Sequence, residues 1–137
     1  MTVTRQKIQP ESLNVRRIGG HALYSHVVTA AGGGKQIYVA GQLARDKEGN
    51  CVGKGDMGAQ IEQVGKNIEA CLEAAGASLS DIVKTTTFVT DIEEFFKHTE
   101  VRMRYLGPAL PTSTTVEVRR LAGPDFMVEI EAIAVVD

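Results

Sequence analysis

The sequence predicts a single α+β domain in which a β-sheet carries two helices on one face. Strand-like and helix-like segments alternate in the order β-β-α-β-α-β-β, so both helices stand between strands. The last strand-like segment is apolar on one side and half apolar on the other. A length of 137 residues suits one domain, and 43% hydrophobic residues are enough for one core.

The first part of the chain divides into an arm and two strands. Residues 1–20 are polar and without periodicity, which predicts an N-terminal arm ahead of a domain at 21–137. Segments 26–31 and 36–41 have the composition of strands. Because three glycines at 32–34 allow a tight turn, these strands are predicted to form a hairpin.

The clearest helical signal covers residues 56–75, after a polar, glycine-rich loop at 44–55. Asp56 can cap the start of this helix, and Gly76 can adopt the left-handed conformation that ends it. Apolar residues recur at three- and four-residue steps: Met57, Ile61, Val64, Ile68, Cys71 and Ala75. Such a stripe predicts an amphipathic helix packed on the sheet.

A β-branched strand at 83–89 precedes the second predicted helix, at 91–106. Asp91 can cap this helix, and Glu94 stands three residues later, as in a capping box. Gly107 and the proline after it end the helical pattern.

The final strands are predicted at 114–118 and 126–136. In the last one, alternate residues form an apolar face: Val128, Ile130, Ala132, Ala134 and Val136. The opposite face is half apolar: Met127, Glu129, Glu131, Ile133 and Val135. Two helices cover only one side of a sheet, so the second face predicts a subunit interface and a homo-oligomer.

Composition narrows the classes of partner. The formal net charge of −2 favours neither nucleic acid nor an anionic membrane. No apolar run approaches the roughly 18 residues of a spanning helix, and residues 1–14 lack a signal-peptide core, so a cytoplasmic protein is expected. Cys51 and Cys71 stand outside any metal-binding spacing, so no metal is expected.

Glu129 and Glu131 are the candidate acid–base pair. Two residues apart on a strand, they point the same way. At a desolvated interface a carboxylate of this kind can hold a water and move its proton, whereas on a wet face both would be solvated or ion-paired. The doublets Arg102/Arg104 and Arg119/Arg120 are interpreted as solvated or intersubunit ion-pairing residues.

Five stretches together resemble the Rid family, the YjgF-like enamine/imine deaminases. They run in the family's order from residue 24 to near the carboxyl terminus. They are YSHVV (24–28), IYVAGQL (37–43), CLEAAGASLSDIVKTTTFVTDIEEF (71–95), PTSTTVEVRRL (111–121) and VEIEAIAV (128–135). The resemblance implies a chorismate-mutase-like fold, a homotrimer with a central barrel, and ligand clefts between subunits. It also implies hydrolysis of small imines or enamines without a metal or organic cofactor.

The resemblance also assigns candidate residues. Glu129 matches the glutamate thought to position the hydrolytic water. Tyr24 matches a cleft tyrosine, and the pair Ala40–Gly41 matches the residues beside the ligand. Glu93 stands where many members have asparagine, and Thr115 where many have cysteine.

One position departs from the family pattern. The deaminase branch has an arginine two residues after the proline of PTSTTVEV, where it clamps the substrate carboxylate; here that residue is Ser113. Ser113 and Thr114 would offer only neutral hydrogen bonds, so 2-aminoacrylate is predicted to be a poor substrate, and a neutral or cationic one is favoured. Another arginine could compensate from a different direction: Arg45, Arg102, Arg104 or Arg119.

The sequence is compatible with two functions. The first is a hydrolase or deaminase acting on a small imine, enamine or related amine metabolite. The second is a non-catalytic trimer that binds a metabolite or a regulatory ligand. Ribonuclease activity, attached to some relatives, is disfavoured by the net charge of −2 and the sparse basic clusters.

Overall fold

A four-stranded sheet covered by helices forms the centre of the protein. The computed structural model describes residues 2–137. The strands are β1 Thr4–Ile8, β2 Arg17–Ile18, β3 His21–Ala22, β4 Val27–Ala31, β5 Lys35–Gln42, β6 Ile82–Val89, β7 Thr112–Glu117 and β8 Val128–Val136. The helices are α1 Met57–Ala74, α2 Ile92–Phe96 and α3 Thr99–Leu106. The predicted α+β class is confirmed.

The strands of the central sheet follow the order β5-β8-β6-β7. The central strand β8 runs antiparallel to both β5 and β6. β6 and the edge strand β7 are parallel, so the chain must cross over between them, and α2 and α3 make that crossover. The prediction that both helical segments stand between strands in the chain order is therefore confirmed.

The capping signals of α1 act as predicted. The Asp56 side chain accepts a hydrogen bond from the backbone N–H of Ala59 at 3.0 Å. Gly76 has φ +79°, the left-handed conformation that glycine adopts at little cost. The buried face consists of Met57, Gln60, Ile61, Val64, Gly65, Ile68 and Leu72. This stripe places α1 against β5 and β8.

The second helical segment differs from prediction because it is broken into α2 and α3. Asp91 caps α2 by accepting from the N–H of Glu94 at 3.0 Å, as expected. The break falls at His98, whose backbone (φ −111°, ψ 37°) leaves the helical region. The Thr99 hydroxyl donates to the carbonyl of Phe96 at 2.9 Å, a side-chain bond that competes with helical pairing.

The first residues are not the aperiodic arm expected from sequence. β1 pairs antiparallel with β4, with Thr4 opposite Ala31, and the predicted hairpin of β4 with β5 is wrong. β5 instead pairs with β8. Val3 packs against Gly33, where a Cβ would overlap the valine side chain. The glycine-rich turn thus accommodates the N-terminal segment, and β4 pairs outside the central sheet.

The two faces of the central sheet have different surroundings. On the helix face of β8, Val128, Ile130 and Ala132 are at most 3% exposed. On the opposite face, called the free face here, Tyr38 is 70% exposed and a groove of about 390 Å³ runs past Glu131. The prediction that helices cover only one face of the sheet is confirmed. Within residues 2–137, no helix has the length and hydrophobicity needed to cross a membrane.

Candidate functional site

Glu129 lies directly over Gly41 on the free face. A Cβ added to Gly41 would overlap the Glu129 carboxylate, so the glycine lets the carboxylate occupy this position. The site forms where β5 is irregular: Val39 pairs with Ala132 and Gln42 with Ile130, so two residues of β5 oppose one of β8. Such bulges redirect side chains and are frequent beside active sites.

Among residues 2–137, the Glu129 carboxylate forms an ion pair with no cation. Its side chain is half-buried, and its strand neighbour across the ladder is Phe88. Ala40, the other residue of the bulge, lines the free-face groove. This part of the site therefore offers a partly desolvated, unpaired carboxylate at the edge of a groove.

Ser113 and Thr115 lie on the other face of the sheet. In the parallel ladder Ser113 is opposite Thr85, and Thr115 is opposite Thr87. Thr85 and Thr87 are at most 1% exposed and face the helices. Since paired residues in a ladder share a face, Ser113 points towards the helices while Glu129 points away from them.

Beneath Ser113 lies a buried arginine, Arg102 of α3, which is 3% exposed. Its Nη2 donates to Ser113 Oγ at 3.2 Å and, more weakly, to the Leu23 carbonyl at 3.4 Å. Among residues 2–137, Nε and Nη1 have no hydrogen-bond partner. The Phe95 ring lies 5.3 Å from the guanidinium carbon and gives a cation–π contact.

This burial costs free energy. Desolvation, and then the positive charge of Arg16, lower the pKa of Arg102 from its ordinary value to about 10. The group therefore stays protonated at neutral pH. The shift corresponds to about 3 kcal/mol against the charged form in the folded chain. No carboxylate within residues 2–137 forms a salt bridge that would offset this cost.

A pocket of about 160 Å³ opens beside Arg102 and Ser113. It is lined by Arg16, Leu23, Tyr24, Phe96, Arg102, Ser113 and Thr115. Arg16 is exposed and stacks on Phe96, with 4.2 Å between guanidinium carbon and ring centroid. Two cations, a tyrosine and two hydroxyl residues thus surround one small space.

The segment that carries Tyr24 is held against the start of β7. The Ser25 hydroxyl donates to the Leu110 carbonyl at 2.5 Å, and the Ser25 N–H donates to the Pro111 carbonyl at 3.1 Å. Leu110 has φ +43°, a conformation that is strained for leucine. The Tyr24 hydroxyl accepts from the backbone N–H of Arg16 at 3.2 Å. These bonds hold Tyr24 and Arg16 at the pocket.

The structure brings together some of the sequence-predicted residues and separates others. Tyr24, Ser113 and Thr115 line the Arg102 pocket, and Thr114 lines an adjoining one with Tyr24 and Ser113. The bulge and Glu129 lie on the opposite face of the sheet. Glu93 is exposed in the first turn of α2 and lines neither of these pockets.

The interpretation of the first arginine doublet is wrong for Arg102 and confirmed for Arg104. Arg104 is mostly exposed and pairs with Glu62 at 3.2 Å. Arg102 is buried; sequence reasoning named it only as one of four arginines that could compensate for Ser113, and it did not name Arg16. The spacing of the sequence could have indicated that Arg102 is buried, because it lies three residues after Thr99 and four before Leu106. These residues belong to the buried side of α3.

Other reactive groups are less suited to chemistry. Among residues 2–137, no cluster of three or more His, Cys, Asp or Glu side chains could hold a metal ion. Burial, and then the charge of Asp125, raise the pKa of the Cys51 thiol, which keeps it protonated and weakly nucleophilic.

Comparisons with known proteins identify the family of the chain. The family model described as Endoribonuclease L-PSP matches residues 15–136. A RutC family protein from Pyrococcus abyssi is 46% identical over 101 residues, which cover 74% of this chain and 79% of that protein. A 2-iminobutanoate/2-iminopropanoate deaminase from Salmonella typhimurium is 37% identical over 105 residues, covering 74% and 80%.

A solved structure of similar fold is a conserved Rid family protein of unknown function from Yersinia pestis. It is 30% identical, covers 96% of this chain and 98% of its own, and has a TM-score of 0.82. The family model spans most of the chain, and the relatives exceed 30% identity over about three quarters of it. The chain therefore belongs to the Rid (YjgF-like) family.

Proposed function

We propose that the protein is a hydrolytic deaminase of small imines or enamines. The observation that carries this proposal is the unpaired Glu129 carboxylate held over Gly41 at the bulge of β5. A carboxylate in a partly desolvated position can act as a general base for water. The 37% identity to a 2-iminobutanoate/2-iminopropanoate deaminase supports the same reaction class.

Glu129 would perform the proton transfers of the reaction. A water held by the carboxylate attacks the C=N carbon, forming a C–O bond as the π electrons move to nitrogen. Glu129 accepts one water proton and returns it to that nitrogen, giving a carbinolamine. When the C–N bond breaks, ammonia leaves with the hydroxyl proton and the C=O bond forms. An enamine enters the same sequence as its imine tautomer, after a proton has moved from nitrogen to carbon.

A trimer would join the two halves of the site. Glu129 and Ser113 lie on opposite faces of one sheet, with β6 between their strands. One chain therefore does not close a cleft around both residues. The uncovered free face, with Tyr38 70% exposed, supports assembly through that surface. In such an assembly the Glu129 of one copy would face the Tyr24 and Ser113 of its neighbour.

A small metabolite suits the site better than RNA, although the matching family model carries an endoribonuclease description. RNA-binding sites combine basic grooves with aromatic stacking platforms. Here the net charge is −2, and only 5% of residues are aromatic. The pocket of about 160 Å³ has room for a compact ligand only.

Substituting Glu129→Gln tests the catalytic role, because the amide keeps the shape and loses the base. With 2-iminopropanoate generated in situ, we expect ammonia release at saturating substrate to fall by about 100-fold or more. Glu73→Gln is the control for loss of a carboxylate, since Glu73 is exposed on α1 and lies outside both pockets and the free face. It should retain activity and the same assembly.

Equal turnover by the parent and Glu129→Gln would overturn the proposal. If neither protein turns over any imine, yet both bind the same small ligand, the chain is a metabolite-binding trimer instead. Ammonia release followed continuously distinguishes these outcomes.

A further inference from the structure

Gln9 connects the N-terminal segment to the residues around Tyr24. Its side-chain Nε2 donates to the Tyr24 carbonyl at 2.7 Å, and its Oε1 accepts from the backbone N–H of His26 at 2.9 Å. Gln9 lies before residue 15, where the match to the family model begins. The residues assigned by the family resemblance do not include it, yet one of its two partners is the candidate binding residue Tyr24.

The two bonds of Gln9 continue the contact between β1 and β4 beyond the end of their ladder. The last paired residues of the ladder are Ile8 and Val27. Pro10 follows Gln9, and because proline has no backbone N–H, it cannot donate to the opposite strand. A primary amide carries both donors and an acceptor, as a peptide group does. The Gln9 side chain therefore supplies bonds that the backbone of the N-terminal segment no longer offers.

The backbone of residues 24–26 is held from two sides. The Ser25 N–H and hydroxyl bind the carbonyls of Pro111 and Leu110, at the start of β7. Gln9 binds the neighbouring backbone groups of Tyr24 and His26 from the N-terminal segment. Ser25 is 1% exposed, so the first set of bonds anchors this backbone in the domain. Loss of the Gln9 amide would release the other side.

The Tyr24 side chain is also bound to the N-terminal segment. Its hydroxyl accepts from the Arg16 N–H at 3.2 Å and donates to the Asn14 carbonyl at 3.4 Å. The His26 ring donates to the same carbonyl at 2.8 Å and meets the Tyr24 ring edge-on, with 5.1 Å between centroids. Residues 9–16 thus hold both the backbone and the hydroxyl of Tyr24, so a shift of this segment would move the tyrosine.

We propose that Gln9 is a positioning residue that holds the Tyr24 side chain in the pocket that it lines with Ser113. This inference rests on the proposed function, because it assigns a further residue to the same site. Gln9 lines neither of the two pockets that contain Tyr24, so it acts through the tyrosine. The N-terminal segment thereby forms part of the site, although it precedes the range matched by the family model.

Fluorine NMR of protein labelled with 3-fluorotyrosine tests this positioning without requiring turnover. The chain has three tyrosines, and Tyr24→Phe identifies the signal of Tyr24. Gln9→Glu keeps the shape and the acceptor, but a carboxylate has no donor for the Tyr24 carbonyl. We expect the Tyr24 signal to shift or broaden in this variant. The signals of Tyr38 and Tyr105 should stay in place and thereby show that the variant is folded.

Gln6→Glu is the matched control, since Gln6 is exposed on β1 and the substitution changes the charge in the same way. It should leave all three signals unchanged. A second variant, Gln9→Met, removes the donor and the acceptor without adding charge, and it should also displace the Tyr24 signal. A Tyr24 signal that keeps its parent position in a folded Gln9 variant would overturn the proposal.

Steady-state hydrolysis of 2-iminopropanoate tests whether Gln9 acts through Tyr24. We expect Gln9→Met and Tyr24→Phe each to lower kcat/KM by about 10-fold, because a displaced contact group loses its alignment with the substrate. Gln9→Met added to Tyr24→Phe should cost less than about twofold more, because residues that act as one unit are not additive. A further loss of about 10-fold in the double variant would contradict action through Tyr24.

The positioning role and the proposed reaction fail in different ways. A parent protein that hydrolyses no imine would reject the reaction, whereas the fluorine signals would still decide the role of Gln9. Glu129-dependent hydrolysis together with an unmoved Tyr24 signal in the Gln9 variants would reject the positioning role and keep the reaction. The two measurements therefore separate the two inferences.

Discussion

Tyr105 shows how single residues couple packing to protonation. Its ring lies over Gly65 of α1, where a Cβ would overlap the ring carbons. Its hydroxyl donates to Glu62 Oε1 at 3.1 Å, and Arg104 binds the other oxygen of the same carboxylate at 3.2 Å. Burial, and then the hydrogen bond to Glu62, raise the pKa of Tyr105. The folded chain therefore holds the phenol proton more tightly than the unfolded chain.

This difference predicts a pH-dependent contribution of Tyr105 to stability. The contribution is complete below the ordinary pKa of 10.0 and is lost as pH rises through the higher pKa of the folded state. Tyr105→Phe should lower the free energy of unfolding at pH 8 by about 1 kcal/mol, and by less at pH 11. Urea denaturation of both proteins at the two pH values measures this. A Tyr105→Phe deficit that is as large at pH 11 as at pH 8 would show that the hydroxyl acts independently of its ionisation.

At the scale of elements, Gln60 joins α1 to the chain entering β8. It is fully buried, and its Nε2 donates to the carbonyls of Gly53 at 3.1 Å and Asp125 at 2.8 Å. Its Oε1 accepts from the backbone N–H of Met127 at 2.8 Å. Since Met127 stands two residues before Glu129, this helix residue helps to set the position of the candidate base.

Replacing Gln60 by Leu leaves three partly buried backbone groups, those of Gly53, Asp125 and Met127, without this partner. We expect the free energy of unfolding to fall by roughly 2–4 kcal/mol, since each such group costs about 1–3 kcal/mol. Gln63→Leu on the same helix removes one contact, the bond to Asn67 at 2.9 Å, and should cost less than about 1 kcal/mol. Urea midpoints for the pair give the comparison. Similar midpoints would mean that the backbone of 125–127 finds other partners.

At the scale of the whole molecule, the free face is the surface through which we expect the protein to assemble. It presents Tyr38, a groove of about 390 Å³ and the half-buried Ile133. Single chains rarely leave such a surface open. A homotrimer built on this face would bury it and bring the two halves of the site together.

Light scattering should therefore give a mass three times the chain mass of 14.7 kDa. Ile133→Lys places a charge in the proposed interface and should dissociate the trimer at micromolar concentration, because an unpaired buried charge is costly. Glu73→Lys, on the exposed side of α1, should stay trimeric. A monomeric parent protein would rule out the interface.

Sequence reasoning succeeded where the determining contacts are local. The caps at Asp56 and Asp91 and the alternation along β8 depend on neighbours a few residues apart, and each was predicted. The pairing of β1 with β4 depends on distant segments, and periodicity does not encode it. For Arg102, helical spacing indicates the buried side of α3. Its contact with Ser113 was not predictable in this way, because it depends on how the chain passes from α3 to β7.

The contact between α3 and β7 has an evolutionary consequence. A cation can reach the same pocket from strand position 113 or from helix position 102, so a gene can exchange one source for the other. If strand and helix both carried arginine, two cations would crowd one small space. We therefore expect the residues at positions 102 and 113 to change together among relatives, and a comparison of this pocket should consider both positions.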